Sequence, residues 1–252
     1  CSAGLQKNLG APAGASVPVM ASVALLFSGA PICYVVKIRR LQLIRSQPID
    51  SGEIWISSGS NNNETLQMNL TGYFPQYFRE LSEHIGKVDS NDLIRIGEMI
   101  VKADARGKKI ILVGNGGSAA MASHVAVDLV KAARIRAINF NEADLITCLA
   151  NDFGYEYWVE KALEFYADDG DLVILISSSG QSKNILNGAT KALSLGLKLV
   201  TFSGFAKDNP LRALGDSNFW VDSQSYNHVE MAHHVWLVAI IDFIIESKLK
   251  MA

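Results

Sequence analysis

Cysteine is scarce and scattered: the 252 residues hold three, at positions 1, 33 and 148, with no CxxC pair. This excludes a zinc-cluster scaffold and a disulfide framework, and it fits a reducing cytoplasmic setting. Charge of one sign is also missing, the net value being −2. No basic field is present to recruit nucleic acid or anionic lipid. Charged residues make up only 19% and aromatics 8%, against 49% apolar residues. Such a chain has enough apolar side chains for a sizeable core and does not have a disordered composition.

Residues 1–67 differ in texture from the rest. Val17 to Val36 is almost wholly apolar and is followed by Lys37, Arg39, Arg40 and Arg45. A run of this length suits a membrane span with its basic flank on the cytoplasmic side. Pro18, Gly29 and Pro31 interrupt it, and the chain opens on Cys1 rather than Met. The competing expectation is a leader that is not native to the domain; a membrane partner is implied only if 17–36 is a real anchor. Ser57-Ser58-Gly59-Ser60-Asn61-Asn62-Asn63 reads as a linker. The expected organisation is therefore an extension over 1–67 and a domain over 68–252, starting at Met68.

From Met68 onward helical and extended patterns alternate. Phe74–Ile85 and Asn91–Ala105 read as amphipathic helices, with Asp89 or Ser90 as N-cap of the second. Five short apolar runs read as buried strands: Ile110–Val113, Arg136–Asn139, Leu172–Ile176, Leu197–Phe202 and Phe219–Val221. Helical patterns fill the gaps at Ala119–Ala133, Glu142–Ala150, Tyr155–Ala167, Ser182–Leu195 and His228–Leu249. Alternation of this kind predicts an α/β fold, a three-layer αβα sandwich on a five-stranded parallel sheet. Ligands of such sheets bind at the carboxyl ends of the strands, where the strand order reverses.

Two loops stand at such strand ends. Gly114-Asn115-Gly116-Gly117-Ser118 follows one strand and opens a helix, so its backbone can approach an anion and free N–H groups can meet it. Ser177-Ser178-Ser179-Gly180-Gln181-Ser182 does the same after another strand, and its hydroxyls can each donate to a phosphate oxygen. Gly114, Gly116 and Ala119 also fit the dinucleotide pattern G-x-G-x-x-A. Alone, the serine loop could be an ordinary turn with a good N-cap. A nicotinamide fold does not need it, so the pair points to a sugar phosphate and to no nucleotide cofactor.

The segments ILVGNGGSAAMASHVAVDL, LITCLANDFGY and LVILISSSGQS, in this order, resemble the SIS-domain phosphoheptose isomerases, which interconvert sedoheptulose 7-phosphate and a heptose 7-phosphate. The likeness covers about Met68 to Glu246. It implies a flavodoxin-like SIS domain with phosphate on Ser177, Ser178, Ser179 and Ser182. Asn115, Gly116 and Ser118 would meet the sugar, Asp152 would be a substrate-contacting acid, and the protein would be a homotetramer with shared sites. It also implies a metal-ligand His followed four residues later by a Glu base; this chain has His124 and Asp128 there. Asp shortens the reach by one methylene.

The final helix departs further. The family places a Gln near its start and a His eight residues later, whereas this chain has Glu230 and Val238. Glu230 and His234 are nevertheless an i, i+4 pair on one helix face. The resulting expectation is that His124 and Asp128 face Glu230 and His234 as catalytic groups and as ligands of a divalent metal such as zinc. Against it stands the reading that His233 or His234 is a buried or interface histidine without metal. Asp128 is the expected base of an aldose–ketose isomerase serving heptose and surface polysaccharide (lipopolysaccharide) synthesis. A non-catalytic SIS module that senses a sugar phosphate or binds a protein is the alternative. Trp158, Phe165 and Tyr166 read as core or subunit interface, and Cys148 as a small core residue.

Overall fold

A computed structural model of the chain describes the backbone of residues 22–27, 30–35, 53–56 and 66–251, and side chains over 72–247. It divides into two compact units at Phe74/Pro75. The first contains two antiparallel pairs, β1 (Ser22–Phe27) with β2 (Ala30–Val35) and β3 (Glu53–Ile56) with β4 (Leu66–Asn69). Twelve residues of the apolar run Val17–Val36 thus form strands, where a membrane-spanning helix would have made them helical. The rest of that run, its basic flank and the Ser57–Asn63 linker lie outside the described residues.

The second unit carries the alternating pattern. Its helices are α1 (Leu70–Gly86, counted here from Pro75), α2 (Ser90–Ala105), α3 (Gly117–Lys131), α4 (Ala143–Phe153), α5 (Trp158–Tyr166), α6 (Lys183–Ser194) and α7 (Tyr226–Met251). The strands are β5 (Ile110–Gly114), β6 (Ala137–Asn139), β7 (Leu172–Ser177), β8 (Lys198–Gly204) and β9 (Ser217–Val221). They form one sheet in the order β6-β5-β7-β8-β9, every neighbouring pair parallel. Counted within the sheet this is 2-1-3-4-5, the flavodoxin-like order, whose switch point lies between its first and third strands. Those strands are β5 and β7.

Successive side chains of a strand leave on opposite faces, so an uninterrupted apolar run serves two cores. Ile110 and Leu112 of β5, with Leu172, Ile174 and Ile176 of β7, join a core under α2, α3 and α7. Ile111, Val113, Val173 and Leu175 join the other, with Trp158, Val159, Leu163, Ile185 and Ala189 of α5 and α6. Helix α7 is apolar and long enough, by composition, to cross a membrane over Tyr226–Ser247. In the fold it is a core element, with Val229, Ala232, Trp236, Leu237, Ile240, Ile241 and Ile244 buried.

Two local expectations need correction. Tyr155–Ala167 is not one helix: a 3-10 turn at Tyr155–Tyr157 precedes α5. Cys148 is exposed, because α4 packs inward through Leu145, Ile146 and Leu149, leaving residue 148 on the polar side beside Asp152. Trp158 is buried whereas Phe165 and Tyr166 are exposed, so one helix supplies both core and surface aromatics.

Candidate active site

The register of β5 and β7 pairs Gly114 with Ile176, which sets the glycine loop and the serine loop side by side at the switch point. A cavity of about 280 Å³ opens there. Asn115, Gly116, Gly117 and Ser118 line one side, Ile176 to Ser179 and Ser182 another, and Tyr226 and Glu230 of α7 complete it. Helices α3 and α6 both begin at this cavity, on Gly116 and Ser182, and neither has a side-chain cap. Gly116 has φ 53° and ψ −121°, a backbone that favours glycine and turns the chain into α3. Free first-turn N–H groups and the positive helix ends make such a place suited to an anion.

The hydroxyls reinforce this. Ser177 Oγ donates to Ser182 Oγ at 3.2 Å, and Gln181 N–H donates to Ser179 Oγ at 3.2 Å. Ser178 Oγ is buried and has no partner among the described residues, an arrangement that costs free energy unless a ligand completes it. Asn115 is held sideways: its amide and that of Asn184 exchange two hydrogen bonds, at 3.1 and 2.8 Å, and Tyr155 Oη donates to Asn115 Oδ1 at 3.3 Å.

Glu230 brings a carboxylate to the same cavity. It is half-buried, and burial raises its carboxyl above the ordinary glutamate value. Its carboxylate lies so close to Gly117 that a β-carbon at that position would collide with it. Any side chain at the start of α3 would displace the carboxylate from the cavity.

His124, Asp128 and His234 form a separate chain of contacts. His124 Nε2 meets Asp128 Oδ2 at 3.1 Å, and His124 Nδ1 meets His234 Nε2 at 2.8 Å. Burial first, and then the neighbouring His124, holds His234 below the ordinary histidine value; Asp128 acts in the opposite sense. A tetrahedral divalent ion needs three or four donors converging at about 2.0–2.2 Å for nitrogen and oxygen. Both ring nitrogens of His124 are engaged elsewhere, Glu230 lines the cavity, and among the described residues no group of three or more His, Cys, Asp or Glu converges as ligands would. The family is compatible with a metal cofactor, but the expected set His124, Asp128, Glu230 and His234 does not form a metal centre in this arrangement.

The remaining expectations separate in the same way. Asp152 is exposed on α4, bonded by Asn151, and does not line the cavity. His233 is fully buried, donating from Nε2 to the Ser203 carbonyl at 3.0 Å, so it is a core histidine and does not line the cavity. Tyr226 and Asn184 are not among the residues the sequence singles out, and Gly117 enters there only as part of the glycine loop. Tyr226 could have been found there, because it stands four residues before Glu230 and shares its helix face.

Two uncapped helix starts meeting across the switch point, with hydroxyls between them and a carboxylate alongside, define a doubly wound domain that takes a small phosphate ester. Comparison with known proteins agrees: residues 73–204 match the SIS domain family. A phosphoheptose isomerase of Fusobacterium nucleatum is 30% identical over 182 residues, covering 69% of this chain and 93% of its own length. A probable phosphoheptose isomerase of Thermoplasma acidophilum is 32% identical over 163 residues, or 62% and 88%. The solved structure of a phosphoheptose isomerase from Francisella tularensis shares the fold, with a TM-score of 0.66 at 20% identity over 71% of this chain and 100% of that one. The chain belongs to the SIS-domain phosphoheptose isomerase family.

Proposed function

We propose that this protein is an aldose–ketose isomerase that converts sedoheptulose 7-phosphate to D-glycero-D-manno-heptose 7-phosphate by way of an enediolate. The observation that carries the reading is the presence of one half-buried carboxylate, Glu230, in the same cavity as the phosphate cradle. Phosphate sits on the serine loop at the start of α6, where Ser178 and its neighbours donate to its oxygens, and Glu230 stands apart from it against the start of α3. Carbonyl transfer between C1 and C2 requires a base that removes the carbon-bound proton from C1 and returns it to C2, while the C1–H electron pair forms the C1–C2 double bond of the enediolate and the O1 hydroxyl proton is exchanged for one on O2. Glu230 has that role here, and its burial makes it a stronger base than an exposed glutamate. Asp128, the base implied by the resemblance, instead holds His124, which in turn fixes His234. No step is routed through zinc or another metal.

The further parts of the reading are a homotetramer, a cytoplasmic site of action and a role in heptose supply for surface polysaccharide. Exposed apolar side chains on several helices, among them Phe78, Val127 and Phe165, support assembly. Scattered cysteines support the reducing compartment.

The test is to incubate the full chain with sedoheptulose 7-phosphate in deuterated water and follow the sugar by NMR. Aldose formation with deuterium entering the carbon next to the carbonyl is the expected result. Phosphate-ester binding without turnover or exchange would sink the isomerase reading. It would favour a sensor, for which the specific motive is Val238 at the place of the family's final-helix histidine.

A further inference from the structure

Tyr226 is a large aromatic residue on the first turn of α7 that lines the cavity, yet 60% of its surface is exposed. Two independent features fix its position. Its ring meets the Phe205 ring edge-on, with centroids 4.8 Å apart and an interplanar angle of 79°. Phe205 itself has φ 55°, a left-handed conformation that bulky residues rarely adopt and that costs of order 1 kcal/mol or more. It is held there by its N–H, which donates to the Ser223 carbonyl at 3.1 Å, while the N–H of the preceding Gly204 donates to the Ser178 carbonyl at 2.9 Å. The strained residue therefore ties the serine loop to the loop that leads into α7, and its ring braces Tyr226.

On the other side, Tyr226 stands four residues before Glu230, so the two occupy successive turns of one helix face about 6 Å apart along the axis. The ring thus lines the same cavity as the serine loop that holds phosphate and the carboxylate that meets the reacting carbons. Among the described residues no charged side chain other than Glu230 lines the cavity. Asn115 and Ser118 offer polar atoms on the opposite wall for the hydroxyls of a polyol. An open-chain sugar also presents C–H edges, which suit an aromatic face.

We infer that Tyr226, braced by Phe205, is the specificity-determining wall of the site: its ring packs along the carbon chain of the substrate and favours a long sugar phosphate over a short phosphate ester. This rests on the sugar-phosphate reading above. It needs the ring and not the hydroxyl, and it does not require turnover.

Calorimetric titration of the full chain tests it, with sedoheptulose 7-phosphate and inorganic phosphate as the two probes. Tyr226→Ala should weaken the sugar phosphate roughly tenfold, as loss of a buried aromatic contact does, while inorganic phosphate binds within about twofold of wild type. Tyr226→Phe should bind both as wild type does, and Phe205→Ala should weaken the sugar phosphate alone, by less than Tyr226→Ala. Melting temperatures matching wild type confirm that these variants fold. Equal weakening of both probes by Tyr226→Ala would overturn the inference, as would no weakening, or a loss in Tyr226→Phe as large as in Tyr226→Ala. Sedoheptulose 7-phosphate bound no more tightly than inorganic phosphate overturns it outright. Tight binding with the expected Tyr226 pattern but no turnover removes the isomerase reading and leaves the role of the ring standing.

Discussion

Helix α2 and the pair α3 and α6 begin in opposite ways. At the start of α2, the Asp89 side chain accepts from Asn91 N–H at 2.9 Å and satisfies an otherwise free donor. At the starts of α3 and α6, Gly116 has no side chain, and Ser182, a residue type that caps well, instead accepts from Ser177 through its hydroxyl. All three ends carry the same sign of helix dipole, yet of the three only the two at the switch point lack a side-chain cap. An N-cap completes the helix from within the chain; its omission leaves the same donors for a ligand. The contrast recurs elsewhere: the Ser203 hydroxyl accepts from Asn209 Nδ2 at 3.1 Å inside the core, while the Ser178 hydroxyl has no partner among the described residues.

The largest expected effect probes what the open start of α3 faces. Glu230→Gln keeps the shape of the side chain and removes its basicity. Isomerisation should fall about a thousandfold, the usual scale for a lost general base, with phosphate affinity kept within a few-fold. Asp128→Asn should cost much less, because Asp128 acts through His124. Steady-state kinetics beside phosphate titration decide this. If Asp128→Asn proves the more damaging, the base lies in the histidine chain and Glu230 is no more than a wall of the cavity.

His233 offers a second measure, on a group committed to the fold. Burial drives its pKa down to about 4, opposed only by the Ser203 carbonyl it donates to, and Phe202 and Trp236 enclose it. The folded protein excludes a proton that the unfolded chain takes up near pH 6.5. Stability from this group is therefore full above about 6.5 and declines as pH falls toward 4, by up to about 3 kcal/mol. Burial lowers His84 as well, which adds a smaller slope of the same sign. Urea unfolding at several pH values should show the decline, and His233→Gln should flatten it. An unchanged slope would mean that His233 is not the proton-excluding group.

The sequence announced most of the fold for a physical reason. Strands buried on both faces must be uninterruptedly apolar, so Ile110–Val113 and Leu172–Ile176 stood out, and observed boundaries moved by only a residue or two. Loops that must approach an anion need glycine and hydroxyl side chains, so the phosphate cradle was legible too. The faces of α3 and α7 were less so. An i, i+4 spacing shows that Glu230 and His234 share a side of α7, but not that one reaches the cavity while the other meets His124. That distinction depends on the crossing of two helices distant in sequence. Asp152 illustrates a related point: a matching segment does not fix the direction of a side chain on α4, and within this chain Asp152 does not line the cavity.

A smaller effect separates ligand donors from fold donors at the serine loop. Ser178→Ala removes a buried hydroxyl that has no partner among the described residues. Affinity for inorganic phosphate should fall about tenfold, the scale of one hydrogen bond to a charged group. The melting temperature should not fall, since no internal bond is lost. Weaker binding together with unchanged or higher stability is the signature of a group reserved for the ligand. A drop in both would place Ser178 among the structural serines.

The smallest effect comes from the capped end. Asp89→Ala leaves Asn91 N–H without its side-chain partner and should cost about 1 kcal/mol. For a domain of this size that is roughly 2–4 °C in melting temperature. Phosphate affinity should not change, because α2 starts away from the switch point. The two substitutions thus form a crossed pair, one lowering stability alone and the other lowering affinity alone. If Asp89→Ala weakened phosphate, or Ser178→Ala destabilised the fold, the two kinds of helix start would not be functionally distinct. The missing caps of α3 and α6 would then be accidents of packing rather than a site.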